Sequence, residues 1–266
     1  MRYELGFIGA GNMAEAIART AIDKQVLSAT QMIASDPMDQ RRHVFASLNI
    51  PVTTDNSEVM GQSQHILLAV KPQTLPALGQ TLGAVDPQRQ VVMSIMAGVR
   101  TQRIVDLASK PVRIVRIMPN TPLLAGCGMS GIAMGQFAQS GDESLAVKLF
   151  GAAGEAILVN EADLDAITAV SGSGPAYVFY LAEAMQRAAS ELGLSQHAAL
   201  LVGQTILGAA QLIRQSDDSP EELRRKVTSP GGTTEAALRH LDGNKTTDVF
   251  INAIKAAQKR SVELGG

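Results

Sequence analysis

The residues with the plainest chemical meaning stand near the start of the chain. An apolar run, Leu5 to Ile8, ends at Gly9. Gly9, Gly11 and Ala14 then fall in G-x-G-x-x-A spacing, and helical character continues from Met13 to Ile22. The chemistry this suits is capture of a pyrophosphate by main-chain amides. Gly9 permits a sharp turn, Gly11 lets the backbone approach a phosphate without an intervening Cβ, and Ala14 keeps the new helix close to its strand. The helix start then offers unpaired N–H groups and a positive dipole end. Strand, turn and helix in this order favour dinucleotide binding over a purely structural glycine turn.

Two further glycine-rich segments lie in the second half. In AVSGSGPAYVFY, Ser171 to Gly174 form a turn and Pro175 is placed to start a helix. In VTSPGGTTEAAL, Ser229 to Gly232 make a tight loop, and Thr233 or Thr234 is expected to cap the helix containing Glu235. A glycine loop feeding a hydroxyl-capped helix is an anion site. A small carboxylate is its economical ligand, although the spacing alone fits a capped interhelical turn equally well. The remaining reactive side chains suggest less. Cys127 sits in LLAGCGMSG without a histidine nearby and reads as packing; a single cysteine excludes an internal disulfide and a multi-cysteine metal site. His43, His65, His197 and His240 are scattered without ligand spacing, so no metal is expected.

The elements that must position these loops follow a clear rhythm. Strand-like runs at Glu4–Ile8, Gln31–Ala34, Ile66–Val70, Val91–Ile95 and Val112–Ile117 alternate with amphipathic segments at Met13–Lys24, Asp39–Leu48, Thr74–Leu82 and Thr101–Ala108. That alternation predicts βαβ units and a mostly parallel sheet. Continuously apolar strands such as HILLAV and QVVMSI predict a sheet covered on both faces. Asp142–Ala153 reads as another helix, followed by the apolar run Ala156–Val159.

Beyond about Asp163 strand signals stop, and helices are predicted over Ala176–Leu192, Ser195–Ser216, Pro220–Val227, Thr234–Leu241 and Thr246–Leu264. Ser219-Pro220-Glu221-Glu222 supplies a cap, a first-turn proline and a capping-box glutamate, with Arg224, Arg225 and Lys226 at the far end. The expected organisation is therefore an α/β Rossmann-like doubly wound domain over residues 1–162, then an all-helical domain over 163–266. No flexible linker separates them. Helices 176–192 and 195–216 carry many small residues and few charges. Helices apolar nearly all round need burial, and a subunit interface is the expected partner.

Composition narrows the classes further. Of 266 residues 45% are hydrophobic and only 3% aromatic, so the core must be aliphatic. The 23 Lys+Arg nearly balance 25 Asp+Glu and form no basic stripe, which argues against a nucleic-acid partner. No apolar run reaches the roughly 18 residues of a membrane span. No secretory signal is expected, because the first strand begins almost at Met1. A soluble cytoplasmic protein is the expectation.

Five segments together, GFIGAGNMAEAI at the start, LAVKPQ at 68–73, RIMPNTP at 116–122, SGSGPAY at 171–177 and SPGGTTEAAL at 229–238, resemble the Δ1-pyrroline-5-carboxylate reductase family. The likeness runs in order along essentially the whole chain. It implies reduction of pyrroline-5-carboxylate to L-proline with NADPH or NADH, a helical dimerisation domain, and a homodimer or higher homo-oligomer. It also implies roles for residues. Gly9, Gly11, Asn12 and Met13 would hold the pyrophosphate, and Ile8 and Ala10 of the same segment would also contact the cofactor. Ala69, Val70, Lys71 and Pro72 would line the ribose and phosphate side, with Ser35 and Asn56 toward the adenosine half. Ala97, Gly98 and Asn120 would approach the nicotinamide. Ser229, Gly231, Gly232, Thr233 and Thr234 would grip the substrate carboxylate, Thr234 would hydrogen-bond the ring nitrogen as the catalytic residue, and Ser173 would shape the pocket wall.

A cyclic imine protonated in water is already electrophilic, so alignment against the nicotinamide is the main task, a contribution of roughly 7–11 kcal/mol. The choice of cofactor stays open at MIASDP. An acidic residue after the second strand accepts from a ribose 2′-OH and repels a 2′-phosphate. If Pro37 turns Asp36 away, Ser35 faces the ribose, with Arg41 or Arg42 available to a phosphate. A hydroxyacid dehydrogenase would need a lysine and an asparagine one turn apart in Ala176–Leu192, which holds neither. A nucleotide-sensing regulator would not need the carboxylate loop.

Overall fold

In a computed structural model, which describes residues 1–265, eight strands form one sheet: β1 (Tyr3–Ile8), β2 (Met32–Ser35), β3 (Val52–Thr53), β4 (Ser63–Leu68), β5 (Val91–Ser94), β6 (Ile114–Met118), β7 (Gly128–Met134) and β8 (Gly154–Leu158). Their order is β3-β2-β1-β4-β5-β6-β7-β8. Every neighbouring pair is parallel except β6 with β7. The first six strands take the doubly wound dinucleotide-binding order, whose direction of winding reverses between β1 and β4.

Helices α1 (Asn12–Asp23), α2 (Asp39–Ser47), α3 (Asn56–Gln62), α4 (Gly79–Gly83), α5 (Thr101–Ala108), α6 (Ser144–Gly151) and α7 (Leu164–Ile167) accompany the sheet. Successive strand residues feed two cores, as parallel strands covered on both faces require. Leu67, Met32, Ala34 and Met93 join one cluster with Phe7 and Phe45; Ile66, Leu68, Ile33 and Val92 join the other. Phe7 and Phe45 meet edge to face with ring centroids 5.5 Å apart. With buried Phe150 and Tyr3 they are the few aromatics in a mainly aliphatic core.

The helical remainder comprises α8 (Gly174–Glu191), α9 (Ala198–Gln215), α10 (Pro220–Lys226), α11 (Thr233–Gly243) and α12 (Thr246–Gly265). The capping box at Ser219 and Glu222 is formed as expected. Within this unit α8 buries no residue, and Phe179, Tyr180 and Leu200 are 61%, 72% and 72% exposed.

Several elements differ from expectation. Thr74–Leu82 is not one helix: a 3-10 segment, Pro72–Leu78, with Pro76 inside it, precedes the short α4, because proline lacks the N–H an α-helix needs. Strands β3 and β7 carry too little apolar alternation to be read from the sequence. The compact units divide at Ser173/Gly174, and residues 257–265 group with the sheet. Leu164 and Ile167 of α7 lie against Gly131 of β7. Ser261 Oγ donates to Asp165 Oδ1 at 2.7 Å, both residues being buried, and so pins the end of α12 to α7.

Candidate active site

Gly9, immediately after β1, has φ +94°. A Cβ there would lie 2.9 Å from the Ala69 carbonyl and 2.9 Å from Val70 Cγ1. Only glycine fits where the loop crosses so close to the end of β4. Gly11 is different. It is the N-cap of α1 with φ −68° and ψ 178°, backbone that any residue adopts, and nothing lies within 4 Å of a Cβ built on it. Packing does not demand glycine at this point; the open space beside it does, if something else is to fill it. No side chain caps α1, so the first-turn amides are left to an outside acceptor.

That space belongs to a cleft of about 370 Å³ lined by Gly11, Asn12, Met13, Ala69, Val70, Lys71, Pro72, Ile95, Met96, Ala97, Met118 and Pro119. It collects the residues at and just beyond the ends of β1, β4, β5 and β6, the carboxyl edge of the sheet at the point where winding reverses. Eight of these residues were expected from the sequence. Ile95, Met96, Met118 and Pro119 were not, although their position directly after apolar strands was a readable signal. The donor set fits a dinucleotide: uncapped amides for a pyrophosphate and an apolar floor of Ile95, Met96 and Met118 for a flat ring.

Other expected cofactor residues occupy supporting positions. Ile8 is buried in the core, and its carbonyl accepts from Ala69 N–H at 2.9 Å. Gly98 is buried beneath Leu264 of α12, leaving exposed Ala97 to face the cleft. Asn120 does not line the cleft. Its Nδ2 donates to the Ser171 carbonyl and Oγ at 3.2 and 3.1 Å, and its Oδ1 accepts from Met129 N–H at 2.9 Å. It ties the start of β7 to a π-helical turn, Thr168–Gly172. Ser173, the expected pocket-wall residue, ends that turn, donating its N–H to the Thr168 carbonyl at 2.8 Å.

The end of β2 corrects the reading of Ser35 and Asp36. Ser35 is fully buried, and its hydroxyl donates to the Phe7 carbonyl at 3.2 Å and Asn56 Oδ1 at 2.7 Å. It does not face a ribose. Pro37 does not turn Asp36 away: Asp36 Oδ2 accepts from Ala10 N–H at 2.8 Å, and Oδ1 from Met38 N–H at 2.9 Å. The arginines are engaged. Arg41 donates to the Ala10 carbonyl at 2.6 Å and to Glu15 at 2.9 Å. Arg42 donates to the Asp36 and Pro37 carbonyls and to Asp39. Partial burial pushes the Glu15 carboxyl up, but bonds from Arg41 and Arg19 outweigh it and hold the group below its ordinary value of 4.5.

In the helical unit, the second glycine loop is built as a turn closed by Gly232 N–H to the Ser229 carbonyl at 3.0 Å. Gly232 is the N-cap of α11 and no side chain caps it. The expected hydroxyl cap is therefore absent: Thr233 and Thr234 stand inside the first turn. Gly231 N–H is spent on Glu235 Oε2 at 2.5 Å, so it supports the loop and is not offered to a ligand. Thr234 is half-buried, whereas Ser229 and Thr233 are exposed. Sequence reasoning placed Glu235 in this helix but missed its bond to the loop. It had also missed Glu161, whose two oxygens accept from Thr101 N–H and Oγ1, both at 2.7 Å, and which pairs with buried Arg116 at 3.2 Å. Among the described residues no group of three His, Cys, Asp or Glu could hold a metal ion, and no helix is long and apolar enough to cross a membrane.

Comparison with known proteins gives consistent results along the whole chain. Residues 161–264 match the family described as pyrroline-5-carboxylate reductase dimerisation, and residues 4–98 one described as NADP oxidoreductase, coenzyme F420-dependent. The pyrroline-5-carboxylate reductase of Pseudomonas aeruginosa is 41% identical over 98% of this chain and 96% of its own. That of Synechocystis is 39% identical over 100% and 99%. Among solved structures, a pyrroline-5-carboxylate reductase from Coxiella burnetii covers 100% of both chains at 34% identity with a TM-score of 0.89. The Plasmodium falciparum pyrroline carboxylate reductase, with NADP bound, covers 99% of this chain and 98% of its own at 28% identity and a TM-score of 0.87. With relatives this similar over almost their full length, and with residues 161–264 matching the dimerisation model, the chain belongs to the pyrroline-5-carboxylate reductase family.

Proposed function

We infer that the cleft at the carboxyl edge of the sheet is the NAD(P)H site through which the chain performs its family's reaction: reduction of 1-pyrroline-5-carboxylate to L-proline, the last step of proline biosynthesis. The observation that carries this reading is the open space beside Gly11 at an uncapped helix start, in a chain so similar to these reductases along its whole length.

Bound NAD(P)H supplies the hydride. The chain's residues then have three tasks. The amides of Gly11, Asn12 and Met13 hold the pyrophosphate. Ile95, Met96 and Met118 exclude water from around the nicotinamide. The first turn of α11 receives the substrate carboxylate through main-chain amides, with Thr234 orienting the ring nitrogen through its hydroxyl. Glu235 fixes the shape of that loop from behind through Gly231. No strong acid is required, because the imine is protonated in water before it binds. The helical unit joins two copies of the chain, with homodimer or larger assemblies built on the exposed faces of α8 and α9, in a cytoplasmic setting.

A single assay tests the reading: consumption of NAD(P)H, followed by absorbance, on addition of pyrroline-5-carboxylate. Proline formation matching cofactor consumption is expected. Cofactor binding without turnover would instead support a nucleotide-sensing role.

A further inference from the structure

We propose that Asp36 makes this chain select NADH over NADPH. The inference rests on reading the cleft as a dinucleotide site and concerns the adenosine end of that site. Asp36 follows β2 directly, beside the loop that leaves β1. Its carboxylate is not free to swing aside: Ala10 N–H holds Oδ2 at 2.8 Å and Met38 N–H holds Oδ1 at 2.9 Å. A fixed carboxylate at this place accepts from the two hydroxyls of an adenosine ribose and repels a 2′-phosphate, which carries about −1.5 to −2 charges.

The cations that could offset this repulsion are committed. Arg41 is shared between the Ala10 carbonyl and Glu15, and Arg42 between the Asp36 and Pro37 carbonyls and Asp39. Each guanidinium already has a carboxylate beside it. Ser35, the other group able to receive a phosphate, is buried with its hydroxyl donated inward. The adenosine end therefore presents a pinned negative charge and no uncommitted arginine on this loop.

The test is a titration of NADH and of NADPH, each followed by nicotinamide fluorescence in the absence of substrate, on the wild-type chain, Asp36→Asn and Asp36→Ser. Wild type is expected to bind NADH about tenfold or more tighter than NADPH. Asp36→Asn keeps an oxygen for the Ala10 N–H but removes the charge, and both variants should shrink the gap to about threefold or less. Equal affinities in wild type overturn the proposal. A preference that persists in both variants overturns the role of Asp36, and the Asn variant keeps this outcome readable if Ser disturbs the loop. Failure to bind either dinucleotide refutes the cleft reading itself, and the proposal with it; since substrate is absent, it is distinct from a failure of imine reduction.

Discussion

Alanine at Gly9 and alanine at Gly11, two residues apart in the same loop, should have opposite consequences. At Gly9 the backbone sits at φ +94°, and the new Cβ would lie 2.9 Å from the Ala69 carbonyl oxygen. That oxygen belongs to backbone tied to β1 through Ala69 N–H and the Ile8 carbonyl, so it cannot move aside cheaply. A left-handed alanine costs about 1–2 kcal/mol and forced overpacking about 1–3 kcal/mol. Gly9→Ala should therefore lose about 2–5 kcal/mol of stability.

At Gly11 the backbone is extended and nothing lies within 4 Å of the added carbon. Reduced freedom of the unfolded chain gains about 0.4–1 kcal/mol. A similar amount is lost because alanine is a poorer N-cap than glycine. Stability should stay within about 0.5 kcal/mol of wild type. The methyl group would, however, stand where a phosphate must approach. Losing one hydrogen bond to a charged group there weakens NAD(P)H binding about ten- to hundredfold. Denaturant unfolding followed by circular dichroism gives the first quantity, and a fluorescence titration the second. The reasoning is refuted if Gly11→Ala costs as much stability as Gly9→Ala, or if it binds the dinucleotide as tightly as wild type.

Four further outcomes follow from other parts of the structure. Thr234→Ala should lower kcat/KM for the imine about ten- to hundredfold with the NAD(P)H dissociation constant unchanged; an unaltered kcat/KM removes Thr234 from the reaction. Glu161→Ala leaves buried Arg116 without its carboxylate and Thr101 N–H at the start of α5 without its acceptor, so unfolding experiments should show a loss of about 3 kcal/mol. Glu15 ionises more readily in the folded chain than unfolded, so its contribution is complete above its ordinary value of 4.5 and disappears as pH falls through the lower folded value; Glu15→Gln should flatten the acid limb of a stability–pH profile, and an unchanged limb counts against the Arg41–Glu15 pair. Phe179→Asp, on the exposed face of α8, should shift sedimentation toward the monomer, whereas an unchanged assembly places the interface elsewhere.

What the sequence revealed about this molecule depended on how local the determinant was. The strand–glycine–helix signature at Leu5 to Ile22 was legible because each residue's role is settled by its immediate neighbours. The helices beyond Asp163 were legible for the same reason, since apolar periodicity and the capping box at Ser219 are local. Strand β3 has two residues, and β7 reads GMSGIAM; their existence depends on pairing with β2 and β6, which no window along the chain contains. The roles of Ser35 and Asp36 were undecidable for a related reason. What each side chain bonds is set by Asn56, 21 residues beyond Ser35, and by Ala10, 26 residues before Asp36.

The same distinction explains a feature shared by the two glycine loops. In each, a carboxylate from the following secondary structure or strand end takes one backbone N–H of the loop: Asp36 takes that of Ala10, and Glu235 that of Gly231. A glycine loop left to itself is conformationally permissive, and ordering it on binding would cost affinity. Tying one amide to a protein carboxylate sets the loop's shape beforehand, so the amides left over are aimed before a ligand arrives. The arrangement also imposes a limit. Each loop already carries a negative charge at its edge, so it suits a ligand whose charge falls on the remaining amides and no further. On the proposed reading of the two sites, the first loop would take a pyrophosphate without an additional phosphate beside Asp36, and the second a single carboxylate.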